Sequence, residues 1–301
     1  MSQGVNEALL ARFEEHLVRT QLSPSTVVNY LADLRAFVRW GADRIDPDFS
    51  LVTLTPDTIW AYRSHLLDEK QCAIATTNRR LQTLRKFCAF GMRAGLMLAN
   101  PAEGIQLVQG ESSPSPTTLT GKQIEALLQV SGSEQPSLAR RDTAIFILLL
   151  HAGLRVNELV ELRLDDVKFD HPGVHLAVKD GGRGEIRKVP LEGEVHHTLY
   201  DYLSIRPQVE GEDHLFLSRE GRPLSPRSVQ RIVSARARAA GLEGVSPQAL
   251  RRTYANRLLA TTGDLALVSK RLGHQKLTTT MRYISESVQQ QMSEATNAPS
   301  K

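Results

Sequence analysis

A mainly α fold in two domains, with a small antiparallel sheet confined to the second, is what this sequence predicts. Three observations carry that expectation. Apolar residues recur at helical spacing behind Ser-Pro and Thr-Pro starts along most of the chain. A run of Ser, Pro and Thr between Val108 and Leu119 interrupts the pattern, and Asp180-Gly181-Gly182 stands as a strong hairpin signal between two short β-type runs.

In the first part, Glu7 to Val18, Pro24 to Trp40, Pro56 to Glu69 and Ala75 to Gly95 read as helices. Ser23-Pro24 and Thr55-Pro56 each place a capping hydroxyl before a first-turn proline, and Gly95 stands where a left-handed C-terminal cap is wanted. The helix from Ala75 carries Arg79, Arg80, Arg85, Lys86 and Arg93 with no acid, while Leu81, Leu84, Cys88 and Met92 form its core-facing stripe. A charge run of this kind is a solvated face or a face for a polyanion; opened by Thr76, Thr77 and Asn78, it also suits a duplex groove. The Ser/Pro/Thr run then reads as a linker, which sets the expected boundaries: a helical domain over 1–107, a linker over 108–118 and a second domain over 119–301.

In the second part, Thr120 to Gln123 is a capping-box pattern opening a helix to about Val130, and Leu138 to His151 is a buried helix. Gly153 breaks the chain before Arg155, which has Glu158 one turn on; a carboxylate at that spacing holds a guanidinium in one orientation, as a bidentate phosphate contact requires. Val174 to Val178 and Glu185 to Pro190 are the hairpin strands, with Lys179 and Arg183 flanking the tip, and Leu215 to Leu217 is a further short strand. Ser225-Pro226 opens a helix to Ala240 whose Arg227, Arg231, Arg236 and Arg238 face no acid in the segment, a second basic helix. Last comes Ser246 to Tyr283. There Ser246-Pro247 starts a helix with Gln248 and Arg251 on one face, Gly273-His274 ends a second apolar segment, and Tyr283 follows nine residues after His274. Arginine, imidazole and phenol are the ingredients of a site that attacks phosphate. The tail after Ser285 is expected to extend away from the core.

Composition excludes several classes. With 301 residues, 41% hydrophobic and 23% charged, the chain reads as globular and long enough for two domains, and its formal charge of +4 is compatible with a polyanionic partner. The two cysteines, Cys72 and Cys88, form no CxxC, so neither a disulfide framework nor a zinc site is indicated, and a reducing cytoplasm fits. The start lacks a signal pattern, and the longest apolar run, Ala144 to Leu150, is too short to span a bilayer.

Taken together, HAGLRVNEL around Arg155, the Lys179 hairpin ending in VPL, ALRRTYA around Arg251, LGH at His274 and RY at Tyr283 resemble the tyrosine recombinase (phage integrase) family, in particular its Xer-like members. The likeness covers most of the chain. It implies a two-domain DNA clamp: a helical core-binding domain, then a mostly helical catalytic domain with a small antiparallel sheet. It implies strand cleavage and rejoining through a covalent 3′-phosphotyrosyl intermediate, with Tyr283 as nucleophile, Arg155, Arg251 and His274 on the scissile phosphate, and Lys179 protonating the 5′-hydroxyl. No metal, ATP or other cofactor is implied; the implied partners are double-stranded DNA and further copies of the chain, as a tetramer on two DNA sites. Thr77, Arg79, Arg80, Arg85, Arg227 and Arg231 are the expected DNA-facing residues. The sequence departs from the family twice. Gln248 stands where the family has histidine, and an amide cannot shuttle a proton at neutral pH. An ungapped match back from Val189-Pro190-Leu191 puts Gly182 at the family's lysine, so Lys179 takes the acid role if the hairpin is registered differently, with Arg183 its rival. The alternative function is a cleavage-deficient DNA-binding or architectural protein of the same fold.

Overall fold

The structure, a computed structural model, describes residues 2–110, 118–130, 135–170, 173–179, 186–191, 193–284 and 288. Most of the expected linker, the hairpin tip with Gly182 and Arg183, and nearly all of the tail after Ser285 lie outside the described residues. The chain divides into two compact units, Met1–Ser113 and Pro114–Lys301.

The first unit packs four helices: α1 (Ser2–Arg19), α2 (Pro24–Arg44), α3 (Pro56–Ser64), which runs on through a π turn at His65–Glu69, and α4 (Ile74–Arg93). The Ser23 and Thr55 hydroxyls accept from the backbone N–H of Thr26 and Thr58, filling donors that a helix start leaves unpaired. Aromatic rings close the core. Phe37 meets Tyr62 and Phe49 edge-on at 4.8 and 5.5 Å, and Phe13 meets Phe87 at 5.3 Å.

The basic face of α4 is not as bare as its sequence reads. Asp33, buried on α2, pairs with Arg79 and accepts from the Thr83 hydroxyl at 2.9 Å, while Arg85 donates to the Ile105 carbonyl. Thr77 is fully buried, so its side chain is withdrawn from any face that a duplex could reach. A helix presents one stripe inward, and Thr77 shares that stripe with Leu81, Leu84 and Cys88, whereas Met92, expected there, is 40% exposed near the end of the helix.

The second unit is built around α6 (Pro136–His151), whose residues from Ala144 to Leu150 are all buried. Around it come α5 (Gly121–Gln129), α7 (Val156–Glu161), strands β1 (Val167–Asp170), β2 (Gly173–Lys179) and β3 (Ile186–Leu191), then α8 (Glu194–Leu203), α9 (Pro226–Ala239), α10 (Pro247–Thr262), α11 (Leu265–Leu272) and α12 (Leu277–Met281). The sheet is antiparallel in the order β1-β2-β3. Its register sets Val178 opposite Arg187 and Lys179 opposite Ile186, so Lys179 and Arg187 point to opposite faces of the ribbon.

Several further features differ from the sequence reading. Both β1 and α8 are additions: β1 has only four residues, and α8 starts after Gly193 at φ +55° with no side-chain cap to announce it. Leu215 to Leu217 is not a strand but is held by isolated bridges, because the Tyr202 hydroxyl and the Arg206 guanidinium occupy the Leu215 carbonyl that a ladder would use. Arg236 leaves the basic face of α9. It is buried, donates to the Leu127 and Leu128 carbonyls at 2.7 and 3.2 Å and to the Thr143 hydroxyl at 3.1 Å, and lies 4.8 Å from the Phe146 ring centre. Among the described residues, no helix is long and apolar enough to cross a membrane.

Candidate active site

Three local structures place the site. Gly153, at φ +59°, turns the chain after α6 so that Arg155 becomes the N-cap of α7, where its backbone N–H donates to Glu158 Oε2 at 2.7 Å. Ser246 caps α10 and Pro247 fills its first turn, which brings Gln248 and Arg251 to one face. Gly273 ends α11 in the left-handed conformation at φ +65°, and α12 then brings Tyr283 back over α10.

Arg155, Arg251, His274 and Tyr283 come together. Arg251 is 1% exposed; it donates to the Gly153 carbonyl and to the Leu272 carbonyl at 2.6 Å, with Nη2 3.2 Å from His274 Nε2. Arg155 donates to Glu158 Oε1 at 2.7 Å and to the Gly273 carbonyl at 3.0 Å. The His274 and Tyr283 rings lie 4.9 Å apart, and the Arg251 and Arg252 guanidiniums stand 5.7 and 5.6 Å from the phenol ring centre. Gln248 Nε2 donates to the Tyr283 hydroxyl at 2.6 Å. The amide at the departure from the family pattern therefore grips the phenolic oxygen.

Charge explains the protonation states. Burial, then the Arg251, Arg155 and Arg187 charges, push the His274 imidazole down to about 4, so the ring is neutral at pH 7. Its Nδ1 lies 2.9 Å from the Thr280 hydroxyl and its Nε2 faces an obligate donor, which fixes Nδ1 as the protonated nitrogen in the DNA-free chain. Glu158 goes the other way. Burial pushes its carboxyl up, but the hydrogen bonds and charge of Arg187, the Arg155 N–H and the Arg251 charge together outweigh burial and hold it below the ordinary value.

Two contributors were not read from the sequence. Arg187, on β3, reaches both oxygens of Glu158 at 2.8 and 2.7 Å and the Arg271 carbonyl at 3.2 Å. The signal for it was the strand alternation: Arg187, Val189 and Leu191 share a face, and an arginine in register with two buried apolar residues points inward. Asn256 is the other; its Nδ2 donates to the Tyr283 carbonyl at 2.8 Å, one turn and more along α10 from Arg251.

Lys179 is not brought into this cluster. It ends β2 half-exposed, with Nζ 3.6 Å from Asp166 Oδ1. Arg227 and Arg231 lie exposed on α9, and Arg80 is half-buried 3.9 Å from Asp33. One group of potential metal ligands gathers among the described residues, Glu212, Asp213 and His214; there Asp213 is paired with Arg163, and Glu212 with His214 Nδ1 at 2.6 Å.

Family models match both units: the model described as "Phage integrase family" over residues 117–290 and that described as "Phage integrase, N-terminal SAM-like domain" over residues 10–95. The chain belongs to the phage integrase family. Among similar proteins, this integrase-family chain is 32% identical to tyrosine recombinase XerD of Lacticaseibacillus casei over 91% of its own length and 92% of the relative's. It is 34% identical to tyrosine recombinase XerC of Alcanivorax borkumensis, covering 90% of this chain and 87% of that one. In fold it is similar to XerH recombinase bound to a palindromic difH substrate in a post-cleavage complex, with TM-score 0.73, 21% identity, and coverage of 91% of this chain and 79% of that one. It is likewise similar to a lambda integrase tetramer bound to a Holliday junction, with TM-score 0.72, 22% identity, and coverage of 93% and 77%.

Proposed function

We propose that this chain is a site-specific DNA recombinase that cleaves and rejoins strands through a 3′-phosphotyrosyl intermediate. The observation that carries the reading is the Tyr283 hydroxyl, held by Gln248 beside Arg155, Arg251 and His274 in a chain of this family. An unperturbed phenol is about one part in a thousand ionised at pH 7, so attack needs cations that stabilise charge as it develops. The Tyr283 hydroxyl gives up its proton to solvent water, since Gln248 cannot accept it; its oxygen attacks the scissile phosphorus, the bond to the 5′-oxygen breaks, and the phosphate remains esterified to the tyrosine. Arg155 and Arg251 neutralise the non-bridging oxygens of the pentacoordinate transition state. His274 joins them by turning its proton to Nε2 once a phosphate supplies an acceptor. The departing 5′-oxygen takes a proton from a hairpin cation: Lys179, which must first leave Asp166 and swing to the phosphate, with Arg183 the rival donor. Attack by the 5′-hydroxyl of another strand then reverses the chemistry and exchanges the strands, with the bond energy conserved in the ester.

The first unit, residues 1–107, serves as the core-binding domain and the second, from 119, as the catalytic domain, joined by a linker over 108–118. Arg79, Arg80, Arg85, Arg227 and Arg231 supply backbone contacts to double-stranded DNA, and the working state is a tetramer on two DNA sites in the cytoplasm. A cleavage-deficient DNA-binding protein is the poorer reading, because Tyr283 is retained together with Arg155, Arg251 and His274 around it. Incubation with a nicked suicide duplex tests the choice: the wild type gives a covalent protein-DNA band, and Tyr283→Phe binds the duplex with nearly unchanged affinity but gives none. A wild-type level of adduct from Tyr283→Phe would move the nucleophile elsewhere, with Tyr254 the first to examine.

A further inference from the structure

The C-terminal end of α11 is an unusual place for so much positive charge to meet. A helix leaves its last carbonyls unpaired and carries a partial negative charge there. Here three consecutive carbonyls each receive one guanidinium: Arg271 from Arg187, Leu272 from Arg251, and Gly273 from Arg155. The same three arginines converge on Glu158, which sits 2.7 Å from Arg155, 2.7 Å from Arg187 and 3.6 Å from Arg251. Arg187 makes the strongest of these contacts, a bidentate pair with both carboxylate oxygens, and its guanidinium lies so close to Gly273 that a Cβ there would stand 2.9 Å from Nη1.

We propose that Arg187 is a third arginine of the phosphate site, a positioning residue that holds Glu158 and the end of α11 in the one arrangement that aims Arg155, Arg251 and His274 at the scissile phosphate. The proposal rests on the recombinase reading above. Without Arg187, Glu158 is free to turn wholly toward Arg155 and Arg251 and to draw them off the phosphate, because one carboxylate then answers two cations instead of three. With it, two positive charges remain in excess among the described residues of the cluster. That excess suits the charge added to a phosphodiester as phenolate oxygen attacks. Because Arg187 lies on β3, it also ties this arrangement to the hairpin that carries Lys179, so the groups acting on the phosphate and on the leaving oxygen share one support.

Cleavage of a nicked suicide duplex by Arg187→Gln tests this, run on an ordinary scissile phosphate and on a methylphosphonate, in which a methyl group replaces one charged oxygen. We expect adduct formation to slow by about a hundredfold on the phosphate and by less than about fivefold on the methylphosphonate, where less charge needs arginine. Arg187→Lys keeps bulk and charge but cannot bridge both Glu158 oxygens and the Arg271 carbonyl, so it should show the same contrast with a smaller loss, and it carries the comparison if the glutamine variant does not fold. An equal loss on both substrates would make Arg187 a purely structural residue, and a loss under threefold on the phosphate would remove it from the site; either result overturns the proposal. A wild type that forms no adduct on the phosphate overturns the recombinase reading together with this one.

Discussion

Gln248 binds the atom that must become the nucleophile, and an amide can orient that atom without accepting its proton. A hydrogen bond of this kind is worth roughly 1 to 1.5 kcal/mol, so Gln248→Ala should slow adduct formation by about tenfold, with duplex affinity little changed. Gln248→His should be tolerated or faster, since imidazole reaches the same oxygen and, in the tautomer that presents its bare nitrogen, can take the phenolic proton. Single-turnover rates on the suicide duplex check both. His274 makes a separate expectation about pH. Its folded value of about 4 lies below the 6.5 of an unfolded chain, so between those values the unfolded state binds the extra proton. The contribution of His274 to stability is therefore fully present above about pH 6.5 and is lost as pH falls toward 4. Urea midpoints measured from pH 7 to 4.5 should fall, and they should fall less for His274→Gln; parallel curves would mean that other groups carry the dependence. At this scale most of the site was legible, because Arg155, Gln248, Arg251, His274 and Tyr283 lie in short segments with informative spacing. Arg187 and Asn256 were not, since each acts on a partner 29 and 27 residues away in sequence.

Among the elements, the helices announced themselves wherever a hydroxyl cap preceded proline, as at Ser23, Thr55, Ser225 and Ser246. Helix α8 has no such cap, and β1 is too short to show alternation, which is why both went unread. The second basic helix shows a different limit, because a charge run records residue types and not directions. In α9 the wet face keeps Arg227, Arg231 and Arg238, whereas Arg236 turns inward and satisfies the last carbonyls of α5. Arg236→Met should thus destabilise the chain by about 2 to 3 kcal/mol, by stranding buried acceptors, while Arg238→Ala stays within about 0.5 kcal/mol. Urea unfolding of the two variants would show the difference; equal effects would mean that the α5 carbonyls find other donors.

For the whole molecule, net charge is a poor guide to which cations meet DNA. Arg79 and Arg85 already serve Asp33 and the Ile105 carbonyl, whereas Arg227 and Arg231 stand exposed on α9 with no ion pair among the described residues. Neutralising Arg227 and Arg231 together should lower the slope of log affinity against log salt by about 0.9 for each phosphate that no longer meets a cation. Neutralising Arg79 and Arg85 should lower it less and should reduce thermal stability more, because Asp33 is then left buried with weaker compensation. If the slope fell equally for both pairs with no drop in stability, the pairings within the first unit would be incidental. The division into two units was legible from a change of composition alone, since the stretch before Leu119 has no apolar side chain to bury.

The close approach of Arg187 to Gly273 makes those two positions a single unit of inheritance. Two separate demands fall on position 273: a backbone at φ +65°, and an empty space where a side chain would begin. Asparagine meets the first demand but not the second. Relatives that keep arginine at the position of Arg187 should therefore keep glycine at that of Gly273, and asparagine there should travel with a shorter partner on the strand. A family alignment would then show the pair changing together, although 86 positions of sequence separate them.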